Sequence, residues 1–297
     1  MVAPSIVIGM SDKDNEPATI VSLMESEDVL SVEDNDYFLA KDSKDADLKS
    51  APTQALRVVV EDRLRDANML VPGNQLDQKF FDEYRRIKRP LLSNAFGKTA
   101  LLVEKGNLIL VTSSVPGEGK THTAANLALS LAQEKDHTVL LVDCDVNKHG
   151  LTKLFGLTDK PGLVDVLEDD SLSIGDVLLR TDIPELSVIS AGRGNEYVTE
   201  LLASQRMSDV VSELSSRYKD RIIIFDGPPL LPTPQTQVLA GLVGQVVFVI
   251  ESGKTAQMLV EEALEMIPEE TATGLVMNKS EGISGGGYNY GYYGTNT

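Results

Sequence analysis

Residues 111–121 read VTSSVPGEGKT, so Ser114 and four intervening positions precede Gly119, Lys120 and Thr121, between a short apolar run and an amphipathic one. Glycines there let backbone N–H groups close around phosphate oxygens, and a helix starting at Lys120 adds its partial positive charge. The lysine of such a loop bridges the β- and γ-phosphates of a nucleotide, and the threonine hydroxyl ligates Mg²⁺. The stretch is a P-loop with Ser in place of the first Gly. Its candidates for contact with ATP are Pro116, Gly117, Glu118, Gly119, Lys120, Thr121 and His122, of which His122 reads as a helix-surface residue rather than a catalytic base.

Two acidic motifs follow apolar runs. TVLLVDCDVNKHG carries Asp143 and Asp145, and RIIIFDGPP carries Asp226. Carboxylates at the C-terminal ends of parallel strands face the crevice where α/β ligands bind. Asp226 reads as the Walker B residue that holds Mg²⁺ through water. Asp143 and Asp145 can orient a metal-bound water or take a proton from an attacking hydroxyl. A single one of these could be a solvated turn carboxylate; three converging on one edge argue for a site. Cys144, between two of them, reads as a small buried residue.

The elements that must position these groups follow from the apolar pattern. NLILVTS, TVLLVD, LSVIS, RIIIFD, QVVFVIE and GLVMN are short apolar runs, and helical segments are predicted over about 120–133, 197–217 and 255–266. Continuous rather than alternating apolar strands are buried on both faces, which indicates a mostly parallel sheet covered by crossover helices. The fold class is a doubly wound α/β domain over 98–282. Before it, 54–97 reads as a helical extension, with ALRVVVEDRLRDANML and FFDEYRRIKRPLL separated by VPGNQ. Residues 1–53 form an acidic arm expected to be mostly disordered, because residues 1–50 hold twelve Asp/Glu against four Lys. Residues 283–297 form a flexible Gly/Tyr-rich tail with four of the eight tyrosines.

The 297 residues carry a formal charge of −18, which argues against a grip on nucleic acid or on an anionic membrane. A single cysteine excludes an intramolecular disulfide, and three scattered histidines give no zinc spacing. The most apolar stretch, Val238 to Ile250, is too short to span a bilayer. The opening residues lack the basic start of a secretory signal. A reducing, cytoplasmic location is expected.

The P-loop, the DxD after the next strand, IIIFDGPPLL, VMNKSE and the tyrosine cluster together resemble a bacterial tyrosine kinase (BY-kinase) of exopolysaccharide loci, of the exosortase-associated autokinase type. The likeness runs from about Phe80 to the C-terminus. It implies a MinD/ParA-like P-loop fold that transfers the γ-phosphoryl of ATP, with Mg²⁺, to tyrosines in its own tail, here Tyr288, Tyr290, Tyr292 and Tyr293. By the same resemblance Lys120, Asp143, Asp145 and Asp226 are catalytic, Thr121, Asp143 and Asp226 surround the metal, and Asn278 contacts the adenine. Glu83-x-x-Arg86-x-x-Arg89 matches the family's oligomerisation motif, and its spacing sets the three on adjoining parts of one helix surface. A solvated charged face is the alternative.

The resemblance also implies a homo-oligomeric ring, a separate membrane-spanning activator of the chain-length-determinant type that recruits the protein to the inner face of the cell membrane, and a cognate tyrosine phosphatase. Departures exist. Partition ATPases of the MinD/ParA type carry a second lysine where Val115 stands, which favours the kinase branch. The Arg-Arg-Pro-like run after the DxD is Asn147-Lys148-His149, and Gln235 replaces an acidic residue past Asp226. An ATPase switch that positions a partner without phosphotransfer is the rival reading.

Overall fold

The computed structural model describes residues 5–6, 56–71, 78–97, 103–193, 198–217 and 220–280. Apart from Ser5–Ile6, the acidic arm lies outside the described residues, as does the tyrosine tail. In chain order the strands are β1 (Ser5–Ile6), β2 (Arg57–Val58), β3 (Leu108–Ser113), β4 (Thr138–Asp143), β5 (Leu179–Thr181), β6 (Leu186–Ile189), β7 (Arg221–Asp226), β8 (Gln245–Glu251) and β9 (Ala272–Asn278). The helices are α1 (Glu61–Asp66), α2 (Gln78–Phe96), α3 (Lys120–Leu131), α4 (Gly150–Phe155), α5 (Leu163–Glu168), α6 (Ile174–Val177), α7 (Val198–Leu201), α8 (Gln205–Arg217), α9 (Gln235–Leu242) and α10 (Gln257–Leu264).

One sheet runs β1-β9-β8-β3-β7-β4-β6-β5-β2. From β9 to β6 every neighbouring pair is parallel. Antiparallel pairing occurs at β5 with β6 and at β1 with β9. The continuous apolar strands have the predicted cause. Ile109, Val111, Val139, Leu141, Ile222 and Ile224 join the core on the face of α2 and α3. Leu108, Leu110, Leu140, Val142, Ile223 and Phe225 join the core on the opposite face. Because strand side chains alternate, Asp143 after Val142 and Asp226 after Phe225 point to the α3 face. The two are register partners on adjacent strands.

The N-terminal extension departs from a continuous helix over ALRVVVEDRLRDANML. Arg57–Val58 pairs in parallel with Arg180–Thr181 at the sheet edge. Three consecutive valines, 58 to 60, favour extended backbone, and β5 offers an unpaired edge to it. Helix α1 begins only where the Asp182 carboxylate accepts from Val60 N (2.8 Å) and Glu61 N (3.2 Å). It ends at Asp66, and two residues on Asn68 has a left-handed φ of 56°. The segment predicted as one helix near 197–217 is two, α7 and α8. Ser204 separates them, its hydroxyl accepting from Met207 N at 3.2 Å as an N-cap does.

Helix α2 is fixed to α3 and to the sheet despite Pro90 within it. Lys88 Nζ donates to Ser130 O at 2.8 Å and pairs with Glu134 at 2.6 Å. Asn94 Nδ2 donates to Gln245 Oε1 at 2.8 Å, and Gln245 Nε2 donates back to Leu91 O at 3.0 Å. Among the described residues no helix is long and apolar enough to cross a membrane.

Candidate active site

Strand β3 delivers the chain into a loop over 114–119 that ends on the N-terminus of α3. Gly117 (φ 97°) and Gly119 (φ 98°) are both left-handed, a conformation that costs a residue with a Cβ. At Gly119 there is a second reason, since a Cβ would meet Asn278 Nδ2 at 2.0 Å. Glu118 turns inward: its carboxylate accepts from Val115 N at 2.7 Å and from the Thr255 hydroxyl. Asn278 Nδ2 donates to Glu118 O at 2.8 Å, and Lys279 Nζ donates to Gly117 O at 2.7 Å. The phosphate loop is thus held in shape from the end of β9 and from the turn after β8. Pro116 and Gly117 form its exposed tip.

Lys120 and Asp145 form a buried ion pair, Nζ to Oδ2 2.8 Å. Asp143 is fully buried; its Oδ2 accepts from Thr152 N (2.8 Å) and Thr152 Oγ1 (2.7 Å), and its Oδ1 from Asp145 N (3.1 Å). Burial pushes the Asp143 carboxyl up to about 6, against the pull of the Thr152 bonds and with a further push from Asp145. Asp226 is also fully buried. Neither of its oxygens accepts a hydrogen bond of ordinary geometry. Burial and the charge of Asp143 raise its carboxyl well above the usual range, while Lys120 and the nearby Thr121 hydroxyl lower it less. Buried acceptors without donors are costly and invite a cation. Gly150 packs against Thr121, a Cβ there meeting Oγ1 at 3.1 Å.

These residues fit a Mg²⁺ that accompanies a nucleotide. Thr121 supplies a hydroxyl, Asp226 two unsatisfied oxygens, and Asp143 a second carboxylate on the adjacent strand. Among the described residues no cluster of three or more His, Cys, Asp or Glu forms a self-sufficient metal centre. Magnesium in nucleotide sites takes one or two carboxylates and completes its shell with phosphates and water. Cys144 is buried, and burial with three neighbouring carboxylates pushes its thiol up, so it stays protonated and packs as expected.

A cavity of about 410 Å³ opens beside the loop, lined by Gly117, Gly119, Lys120, Thr121, His122 and Asp145. His122 is half-buried rather than on the helix surface. Its ring lies 3.2 Å from Asn126 Nδ2, and burial lowers its affinity for a proton. Asn126 Oδ1 accepts from Leu70 N at 2.8 Å, which ties the extension to α3. Asn126 and Thr152 went unseen in the sequence because their roles depend on partners 56 and 9 residues away.

The Glu83-x-x-Arg86-x-x-Arg89 triplet is split. Arg86 and Arg89 are exposed on α2, whereas Glu83 is buried, with Lys79 Nζ 4.0 Å away. Positions three apart advance about 300° around a helix, so a triplet drifts off one face.

A mostly parallel sheet with a phosphate loop, its lysine and carboxylates on two neighbouring strand ends defines a P-loop nucleotide-binding protein. The model of a family described as an AAA domain matches residues 106–273. The chain is 34% identical over 189 residues to tyrosine-protein kinase YwqD of Bacillus subtilis, covering 63% of this chain and 77% of that one. It is 32% identical over 188 residues to the putative tyrosine-protein kinase EpsB of Ralstonia nicotianae, covering 63% of this chain but 24% of that one. The solved VpsO kinase domain superposes with a TM-score of 0.53 at 30% identity, covering 68% of this chain and 100% of that one. The chain belongs to the AAA-domain family, among its bacterial tyrosine kinases.

Proposed function

We propose that the protein is an Mg·ATP-dependent protein-tyrosine autokinase that phosphorylates Tyr288, Tyr290, Tyr292 and Tyr293 and regulates exopolysaccharide biosynthesis or export. One observation carries the reading: a lysine-bearing phosphate loop and three buried carboxylates share one sheet edge, in a chain whose relatives are named tyrosine-protein kinases. Lys120 would leave Asp145 for the nucleotide's phosphates and neutralise charge on the transferring group. Asp145, freed of its partner, would take the proton of the attacking phenol as the new O–P bond forms and the bond to the ADP oxygen breaks. A bound Mg²⁺, held through Thr121, Asp143 and Asp226, supplies charge neutralisation at the phosphates. Asn278, whose amide donates to Glu118 O in the loop, would contact the adenine.

The tail fits the role of acceptor. Lys279, the residue before the last described one, is bonded to the phosphate loop, which supports a tail that starts at the active-site edge. At roughly 3.3–3.6 Å per residue, the stretch from Asn278 to Tyr288 spans at most about 35 Å, enough to reach a neighbouring subunit. Exposed Arg86 and Arg89 suit a contact between subunits in a ring. A membrane-spanning activator of the chain-length-determinant type, recruitment to the inner face of the cell membrane and a cognate phosphatase complete the proposal. The test is to incubate purified protein with Mg·ATP and analyse phosphoamino acids. Phosphotyrosine is expected; ADP released with no phosphoprotein would identify an ATPase switch instead.

A further inference from the structure

The peptide between Gly117 and Glu118 has little of its own to fix its direction. Gly117 is exposed, its φ is 97°, and a Cβ there would find nothing within 4 Å. A glycine with open space around it lets the next peptide turn over at small cost. The direction matters because a trans peptide points its C=O and its N–H to opposite sides. Neither Glu118 N nor Gly119 N donates to another backbone group among the described residues, so both remain for an anion. The carbonyls of the same stretch are tied from outside: Lys279 Nζ donates to Gly117 O at 2.7 Å, and Asn278 Nδ2 to Glu118 O at 2.8 Å. With both carbonyls turned to the end of β9, the N–H groups of Glu118 and Gly119 turn the other way.

Resting on the nucleotide-binding reading above, we infer that Lys279 is a positioning residue: its bond to Gly117 O selects the orientation of the 117–118 peptide in which Glu118 N faces the phosphates. The backbone of Lys279 is held in a costly shape where this bond forms. It follows β9 directly with a left-handed φ of 57°, which a residue with a Cβ rarely adopts, and its ammonium also pairs with Glu251 Oε2 at 3.2 Å. Glu251 Oε1 holds a second ammonium, that of Lys254, at 3.2 Å. Among the described residues Lys254 makes no bond to the phosphate loop, so the two lysines share a carboxylate but only Lys279 reaches a loop carbonyl. A loop whose donors are already aimed spends less on ordering when a diphosphate arrives.

The test is calorimetric titration of the full-length chain with ADP in the presence of Mg²⁺, comparing the parent with Lys279→Met, Lys279→Arg and Lys254→Met. Methionine at 279 carries the same backbone cost as lysine, so the substitution removes the ammonium alone. Both lysine side chains are largely exposed, 46% for Lys279 and 74% for Lys254, and the variants keep the fold. We expect Lys279→Met to weaken ADP binding by about fivefold or more, Lys279→Arg to recover most of it, and Lys254→Met to stay within about twofold of the parent. ADP affinity of Lys279→Met within about twofold of the parent would overturn the assignment. So would an equal loss in Lys254→Met, which would mark the effect as one of general charge rather than of peptide orientation. A parent protein that binds no ADP would instead overturn the nucleotide-binding reading, and the role of Lys279 with it.

Discussion

Lys120 Nζ stands 2.8 Å from Asp145 Oδ2, in an ion pair whose residues are 5% and 2% exposed. The lysine is therefore already neutralised, and on the proposed function nucleotide binding would exchange this carboxylate for phosphate oxygens. Removing one partner of a buried pair leaves an uncompensated charge, at a cost of about 3–5 kcal/mol.

Asp145→Asn should accordingly destabilise the nucleotide-free protein strongly and the ADP-bound protein much less. Denaturant titration with and without saturating ADP measures the difference. A nucleotide-induced gain no larger than in the wild type would contradict the exchange.

Asp143 sets a pH dependence. Its carboxyl rises in the fold from an ordinary 3.8 to about 6, chiefly by burial. The folded state therefore holds the proton more tightly than the unfolded state, and this contribution to stability is present below 3.8 and lost as pH rises through about 6. Asp226 acts in the same direction. With EDTA and no nucleotide, Asp143→Asn should gain stability relative to wild type as pH climbs through that window, while losing kinase activity at pH 7.5. A difference in stability independent of pH would contradict it.

Thr152 holds Asp143 through two donors and also accepts from Ala191 N at 2.8 Å. Thr152→Val removes the hydroxyl's donor and strands a buried N–H, costing about 1–3 kcal/mol. We expect a raised KM for Mg·ATP, restored by Thr152→Ser. Equal behaviour of the Val and Ser variants would show that the methyl group, not the hydroxyl, matters.

Much of this was legible in the sequence because strand periodicity and the P-loop are local signals. The alternation that sends Leu141 and Val142 to opposite cores also sends Asp143 to the α3 face. What stayed hidden rests on distant partners. Val58 became a strand because Arg180 and Thr181 offered an edge. That the Glu118 carboxylate ties Val115 N to Thr255, leaving only its backbone for a phosphate, depends on a partner 137 residues away. The spacing of Glu83, Arg86 and Arg89 could not say which of the three points inward; packing of α2 on α3 decides that.

The exposed arginines of α2 give a further prediction. Arg86→Ala with Arg89→Ala should shift the protein toward smaller species in sedimentation velocity, with the monomer's stability within about 0.5 kcal/mol of wild type, as for exposed side chains. Unchanged sedimentation would return the pair to a solvated helix face.

The most direct test is residue-level mapping of phosphate after incubation with Mg·ATP, comparing wild type with Lys120→Met. Lysine replaced by methionine keeps helix α3 intact, since both residues favour helix, but removes the charge on which phosphoryl transfer depends. Phosphate is expected on Tyr288, Tyr290, Tyr292 and Tyr293 of the wild type and none on the variant incubated alone. Absence of tail phosphotyrosine in the wild type, or equal labelling of a folded Lys120→Met protein, would contradict it.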